Sequence, residues 1–211
     1  MFYKDTRQEV ELKLQDITDT VNSEYICVKN KIEVLKNNCE NIPFILNQVE
    51  TFEGHISGTP QNLRIDSDYL LDINSMVEQI NRYDHVSEDN YYNSSKNFNY
   101  LNAMDIIGTI SPIARLATTV VTTKKNKDKC KDAYEKIAQM QEEFEKLKEF
   151  EIIIEKKNRI IFGLKTKIYQ YLIKLQNSGI TSYKQFDEAQ KSDFQTMILN
   201  VMTLKKELEE W

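Results

Sequence analysis

Apolar residues recur along this chain at steps of three and four over two unusually long stretches. In the first, Val10, Leu14, Ile17, Val21, Tyr25, Val28, Ile32, Leu35, Cys39 and Ile42 advance by four or three at every step. In the second, Ala133, Ile137, Met140, Phe144 and Leu147 follow the same rule, and Ile161, Leu164, Ile168, Tyr171 and Leu175 resume it after a break. This spacing keeps apolar side chains on one face of a helix turning 3.6 residues at a time, while the other faces stay polar. The pattern predicts one long helix over about 5–41 and another over about 127–175. Narrow stripes at such spacing favour antiparallel coiled-coil packing, or self-association through it.

Punctuation divides the remainder. Pro43 lacks the donor that a helix interior needs, so it ends or kinks the first helix, and Phe44, Ile45, Val49 and Phe52 predict a short helix over about 44–53. Gly54 to Pro60 is the strongest turn cluster in the chain. A helix over about 66–84 follows, with Tyr69, Ile73, Met76, Val77, Ile80 and Tyr83 inward. Residues 87–100 are rich in Asn, Ser and Tyr without a helical period and read as a loop. Asn177-Ser178-Gly179 closes the second long helix. Ser182 with Gln185 three residues later resembles a capping box that starts a last helix over about 182–209, broken near Ser192. Phe186, Phe194, Ile198, Val201, Leu204 and Leu208 form its inner side. The β-prone triplets at 152–154 and 160–162 lie inside helical patterns, so no strand is expected. The fold expected is all-α: a single elongated helical bundle of two long coiled-coil-like helices with shorter ones alongside.

Residues 101–121 form the most apolar segment, followed by the basic run Lys124 to Lys131. Asp105 and Arg115 interrupt it, and the uncharged run from Ile106 to Ala114 is too short to cross a hydrocarbon core of about 30 Å as a helix. The first expectation is therefore a buried core helix. The second is a segment exposed on a membrane, with Ile106, Ile107, Ile110, Ile113, Leu116, Val120 and Val121 as the inserting side chains and anionic lipid as the partner of the lysines. In layout the chain resembles water-soluble α-helical pore-forming toxins, which enclose a short apolar hairpin between very long helices. That resemblance implies membrane insertion as a function.

Composition narrows the chemistry. Five Gly in 211 residues leave little room for a phosphate-cradling loop, and neither GxGxxG nor GxxxxGK[ST] occurs. A net charge of −5 with basic residues well spread argues against nucleic acid as a partner. No nucleophile elbow or HExxH helix is present, and Glu142, Glu143, Glu145, Glu149 and Glu151 alternate with lysines at intrahelical pairing distance. A non-enzymatic protein with no cofactor is expected. His55 and His85, the two histidines, lie without a Cys/His framework, so no metal site is expected. Cys27, Cys39 and Cys130 show no CxxC, which predicts reduced thiols in a cytoplasmic setting. The N-terminus lacks the basic and apolar regions of a signal peptide, so a membrane-associated or released form would travel by another route.

Two polar residues fall on the stripe of the second long helix: Asn158, and Glu151 one heptad earlier. Polar groups at such positions set register or partner choice. The first functional reading is an interaction protein (scaffold, adaptor, inhibitor or assembly subunit) that binds a protein partner or itself through helices. Tyr91, Tyr92, Phe98 and Tyr100 of the 87–100 loop are its candidate recognition residues.

Overall fold

A computed structural model describes residues 2–82 and 127–210. The described residues form five α-helices: α1 (Phe2–Glu40), α2 (Ile42–His55), α3 (Ser67–Arg82), α4 (Lys127–Gln176) and α5 (Glu188–Glu209). There is no strand among them, and the protein is an all-α bundle, as the periodicity requires. Contacts divide the chain into two compact units: Met1–Ile32 with Val86–Glu155, and Glu33–His85 with Lys156–Trp211. The candidate residues Tyr91, Tyr92, Phe98 and Tyr100, and the apolar candidates Ile106, Ile107, Ile110, Ile113, Leu116, Val120 and Val121, lie outside the described residues.

In the first unit α1 and α4 bury their stripes. Val10, Leu14, Val21 and Val28 of α1 and Ala133, Ile137, Met140, Leu147, Phe150 and Ile154 of α4 are all buried. The two helices run parallel. Cys27 bonds Glu151 and Lys31 bonds Glu155, both at a separation of 124 residues. A constant difference between partner numbers marks parallel strands of helix; an antiparallel pair would keep the sum constant. The expected antiparallel packing of the two long helices is thus corrected. The physical reason lies in polar matching, because apolar stripes alone accept either direction.

The second unit is built from two helical hairpins. α1 stops at Glu40 and α2 begins at Ile42, with Pro43 in the first turn, where its missing N–H leaves no carbonyl unpaired. α2 and α3 then fold back antiparallel: Ile65 N donates to Glu53 Oε2 at 3.0 Å and Ser67 Oγ to Glu50 Oε1 at 2.7 Å. α4 and α5 do the same, through Lys157–Glu207 at 2.8 Å and Lys174–Asp193 at 2.6 Å. The hairpins lie side by side in the same direction. Tyr69 Oη donates to Met202 O at 3.2 Å, and Lys205 pairs with Asp72 at 2.8 Å, both 133 residues apart. Their turns are joined as well: Ser57 N donates to Thr181 O and Tyr183 N to Ser57 O, each at 2.9 Å. Both turns contain a glycine in the left-handed region, Gly58 at φ 74° and Gly179 at φ 66°, where a Cβ would be strained. Each turn then passes through a short 3-10 segment, Gln61–Leu63 in one and Tyr183–Gln185 in the other.

The last helix starts later than expected. Ser182 is drawn into the bridge with Ser57, and the capping box forms one turn and a half further on. There Gln190 N donates to Asp187 Oδ1 at 2.8 Å, and Asp187 N donates to Gln190 Oε1 at 3.0 Å. The helix then runs unbroken through Ser192. Phe186, Phe194, Ile198, Val201, Leu204 and Leu208 are buried, as the stripe predicts. Phe194 sits at the centre of an aromatic cluster, with ring centroids 5.7 Å from Tyr183, 6.0 Å from Phe186 and 6.3 Å from Phe52.

Because Phe194 is fully buried and touches both hairpins, Phe194→Ala should lower the unfolding free energy by about 3–5 kcal/mol. Urea denaturation followed by circular dichroism measures this. A loss below about 1 kcal/mol would show that the cluster is not the core of the second unit.

Candidate functional site: a polar layer between two parallel helices

The apparent break in the α4 stripe is filled on the first-unit side by Phe150 and Ile154, both buried, Ile154 wholly so. What interrupts the apolar run is a layer of charge in the first unit. Two turns of α1 supply Glu24, Cys27 and Lys31, at steps of three and four. Two turns of α4 supply Lys148, Glu151 and Glu155 at the same steps. Helical spacing therefore puts three polar groups on each facing surface.

Glu151 is the hub. Lys31 Nζ lies 2.9 Å from its Oε1, and the Cys27 thiol donates to the same oxygen at 3.2 Å. Lys148 Nζ lies 3.2 Å from its Oε2 and reaches across to Glu24 Oε2 at 2.6 Å. Lys31 also pairs with Glu155 at 2.8 Å. The ammonium of Lys31 and the thiol hydrogen bond together hold the Glu151 carboxyl down to about 2. The same carboxylate pushes the Cys27 thiol up, since a thiolate there would give up its hydrogen bond and face negative charge. Cys27 is thus held as a thiol in this arrangement.

Glu24 is the least comfortable member. Its side chain is only 8% exposed. Its Oε1 is shielded from solvent and has no hydrogen-bond donor among the described residues. Ligand atoms of Glu24, Cys27 and Glu151 lie within 4.8 Å of one another, the one such grouping of metal-ligating side chains among the described residues.

A second polar contact sits in the second unit. Asn158, 8% exposed, accepts from Asn38 Nδ2 at 3.3 Å, while Lys165 Nζ donates to Asn38 O at 2.7 Å. Beside it Cys39 is fully buried, as expected of a thiol on an apolar stripe, and burial pushes it up to about 12.

The sequence singled out Glu151 and Asn158 as polar interruptions, and both prove to be paired across to α1. Glu142 and Glu143 pair with Lys146 within α4, the intrahelical role expected of them. Glu151 pairs within α4 too, with Lys148, but also reaches across to Lys31 and Cys27 of α1. Glu24, Cys27, Lys31 and Lys148 were missed as a group. One signal was present, since Glu24 lies at seam spacing between Val21 and Val28, where Tyr25 competes for the same place. His55 is exposed and its ring nitrogen meets Thr51 O; no metal ligand lies with it among the described residues. His85 and the side chain of Cys130 lie outside the described ones.

Comparison of the chain with protein-family models, with curated proteins and with solved structures found no match.

The depressed carboxyl of Glu151 gives a pH dependence of known sign. A group lowered on folding contributes stability above its unfolded value of 4.5, and that contribution is lost as pH falls from there towards 2. Glu151→Gln should therefore cost about 1–2 kcal/mol at pH 7, allowing for solvent screening, and the cost should shrink towards zero by pH 2–3. Parallel denaturation curves for the two proteins across that range check it; a difference that does not vary with pH would refute the ion-pair account.

Proposed function

We propose that this is a non-enzymatic helical interaction protein, acting through helix faces that its own packing leaves uncovered. The observation that carries the reading is a second apolar stripe on α4, within the second unit. Ile161 and Ile168 are wholly buried in the seam. Their neighbours Phe162 and Tyr169, 100° further round, are 54% and 43% exposed. Seven residues apart, they share one face of the helix. Lys165 lies 5.9 Å from the Phe162 ring and lines the same side. Large apolar groups repeated at heptad spacing on an outer face are the surface to which another amphipathic helix docks. The partner is a second copy of this chain or another helical protein.

A photo-crosslinking residue placed at Phe162 or Tyr169 should form protein adducts in cells, and the same residue at exposed Lys156 should form few. Equal yields at the three positions would sink the proposal. Phe162→Glu with Tyr169→Glu should abolish the adducts made from neighbouring Thr166, with helix content unchanged.

The alternative, membrane insertion through 106–121, rests on the apolar composition of that segment and its basic flank. No helix among the described residues is long and apolar enough to cross a membrane. This reading makes a separate prediction. Dye release from anionic liposomes should occur and be abolished by Ile110→Asp; absence of release at every pH and lipid composition would remove it.

A further inference from the structure

We propose that Glu24, Cys27 and Glu151 form a binding site for a divalent transition cation of the zinc class. Two observations on the polar layer converge on it. The ligand atoms lie within 4.8 Å of one another, close enough to share one ion. One sulfur and two carboxylates are a donor set suited to a borderline-soft cation, which takes three protein ligands and completes a tetrahedron with water. Hard cations such as magnesium and calcium do not favour the thiolate.

The second observation is the buried, unpaired Oε1 of Glu24. The other oxygen of this carboxylate pairs with Lys148, but Oε1 is shut away from water without a donor, which is costly. A cation is the partner that such an atom lacks. Binding displaces the single Cys27 proton to solvent, with the thiolate sulfur bonding the metal.

The lysines do not block this exchange. Lys148 is 43% exposed, so its ammonium can swing out to water when the metal takes Glu24 and Glu151. Lys31 keeps Glu155 at 2.8 Å and is not stranded. The site also bridges α1 and α4, so the ion would link the two helices of the first unit.

The test uses the reduced, metal-free full chain titrated with Co²⁺, which reports sulfur ligation by a thiolate-to-cobalt charge-transfer absorption. One equivalent should develop this band. Cys27→Ser should abolish it, Cys130→Ser should retain it, and Glu24→Gln should weaken binding at least tenfold, with circular dichroism confirming helix content in each. Independently of any variant, stoichiometric Zn²⁺ should protect Cys27 of the wild-type chain from alkylation, mapped by mass spectrometry. No band in the folded wild-type protein, a band that survives Cys27→Ser, or Cys27 alkylated equally with and without Zn²⁺ would each overturn the proposal.

Discussion

The first unit depends on the parallel seam between α1 and α4, in which apolar ladders are interrupted by polar pairs that match only in one alignment. Burying the apolar faces supplies the free energy, at about 25 cal/mol per Å² removed from water. That term is non-directional. Ion pairs such as Lys31–Glu155 and Lys148–Glu24 add little or nothing net to stability once desolvation is counted. Their effect is on alternatives. If Cys27 kept its bond to Glu151 in an antiparallel arrangement, Glu24 would lie level with Ile154 and Lys31 level with Leu147. A carboxylate against isoleucine and an ammonium against leucine are both costly, so the parallel register wins.

The second unit follows a repeated plan: a helical arm, a turn with a left-handed glycine, a 3-10 segment and a second arm running back. The two copies lie side by side, with turns stitched through Ser57 and Ser182. Phe52 from one hairpin and Tyr183, Phe186 and Phe194 from the other meet in one cluster, which explains why neither hairpin's stripe is complete alone.

The two proposals draw on different parts of this arrangement. Interaction with a partner uses what the seam leaves outside, a stripe of aromatic side chains at heptad spacing. Cation binding uses what the seam encloses, a carboxylate oxygen without a donor beside a thiol and a second carboxylate. Polar residues in a helical seam serve register when every atom is satisfied. Glu24 is the place in the described first unit where register matching leaves an atom over.

Most of the fold was legible in the chain because helical periodicity is local. Val10 to Ile42 and Ala133 to Leu175 predicted α1 and α4 within a few residues, and Pro43 and Gly179 marked their ends for reasons of backbone geometry alone. The start of α5 was not legible, since Ser182–Gln185 and Asp187–Gln190 both fit the capping-box spacing, and in the structure Ser182 is bridged to Ser57 while Asp187 caps the helix. The direction of the seam was not legible either, because a stripe has no polarity. Glu151 and Asn158 could be identified as interruptions from their spacing, but their partners are more than a hundred residues away. Which groups meet across a seam is decided by register between distant segments, and only the tertiary structure brought Glu24, Cys27 and Glu151 together.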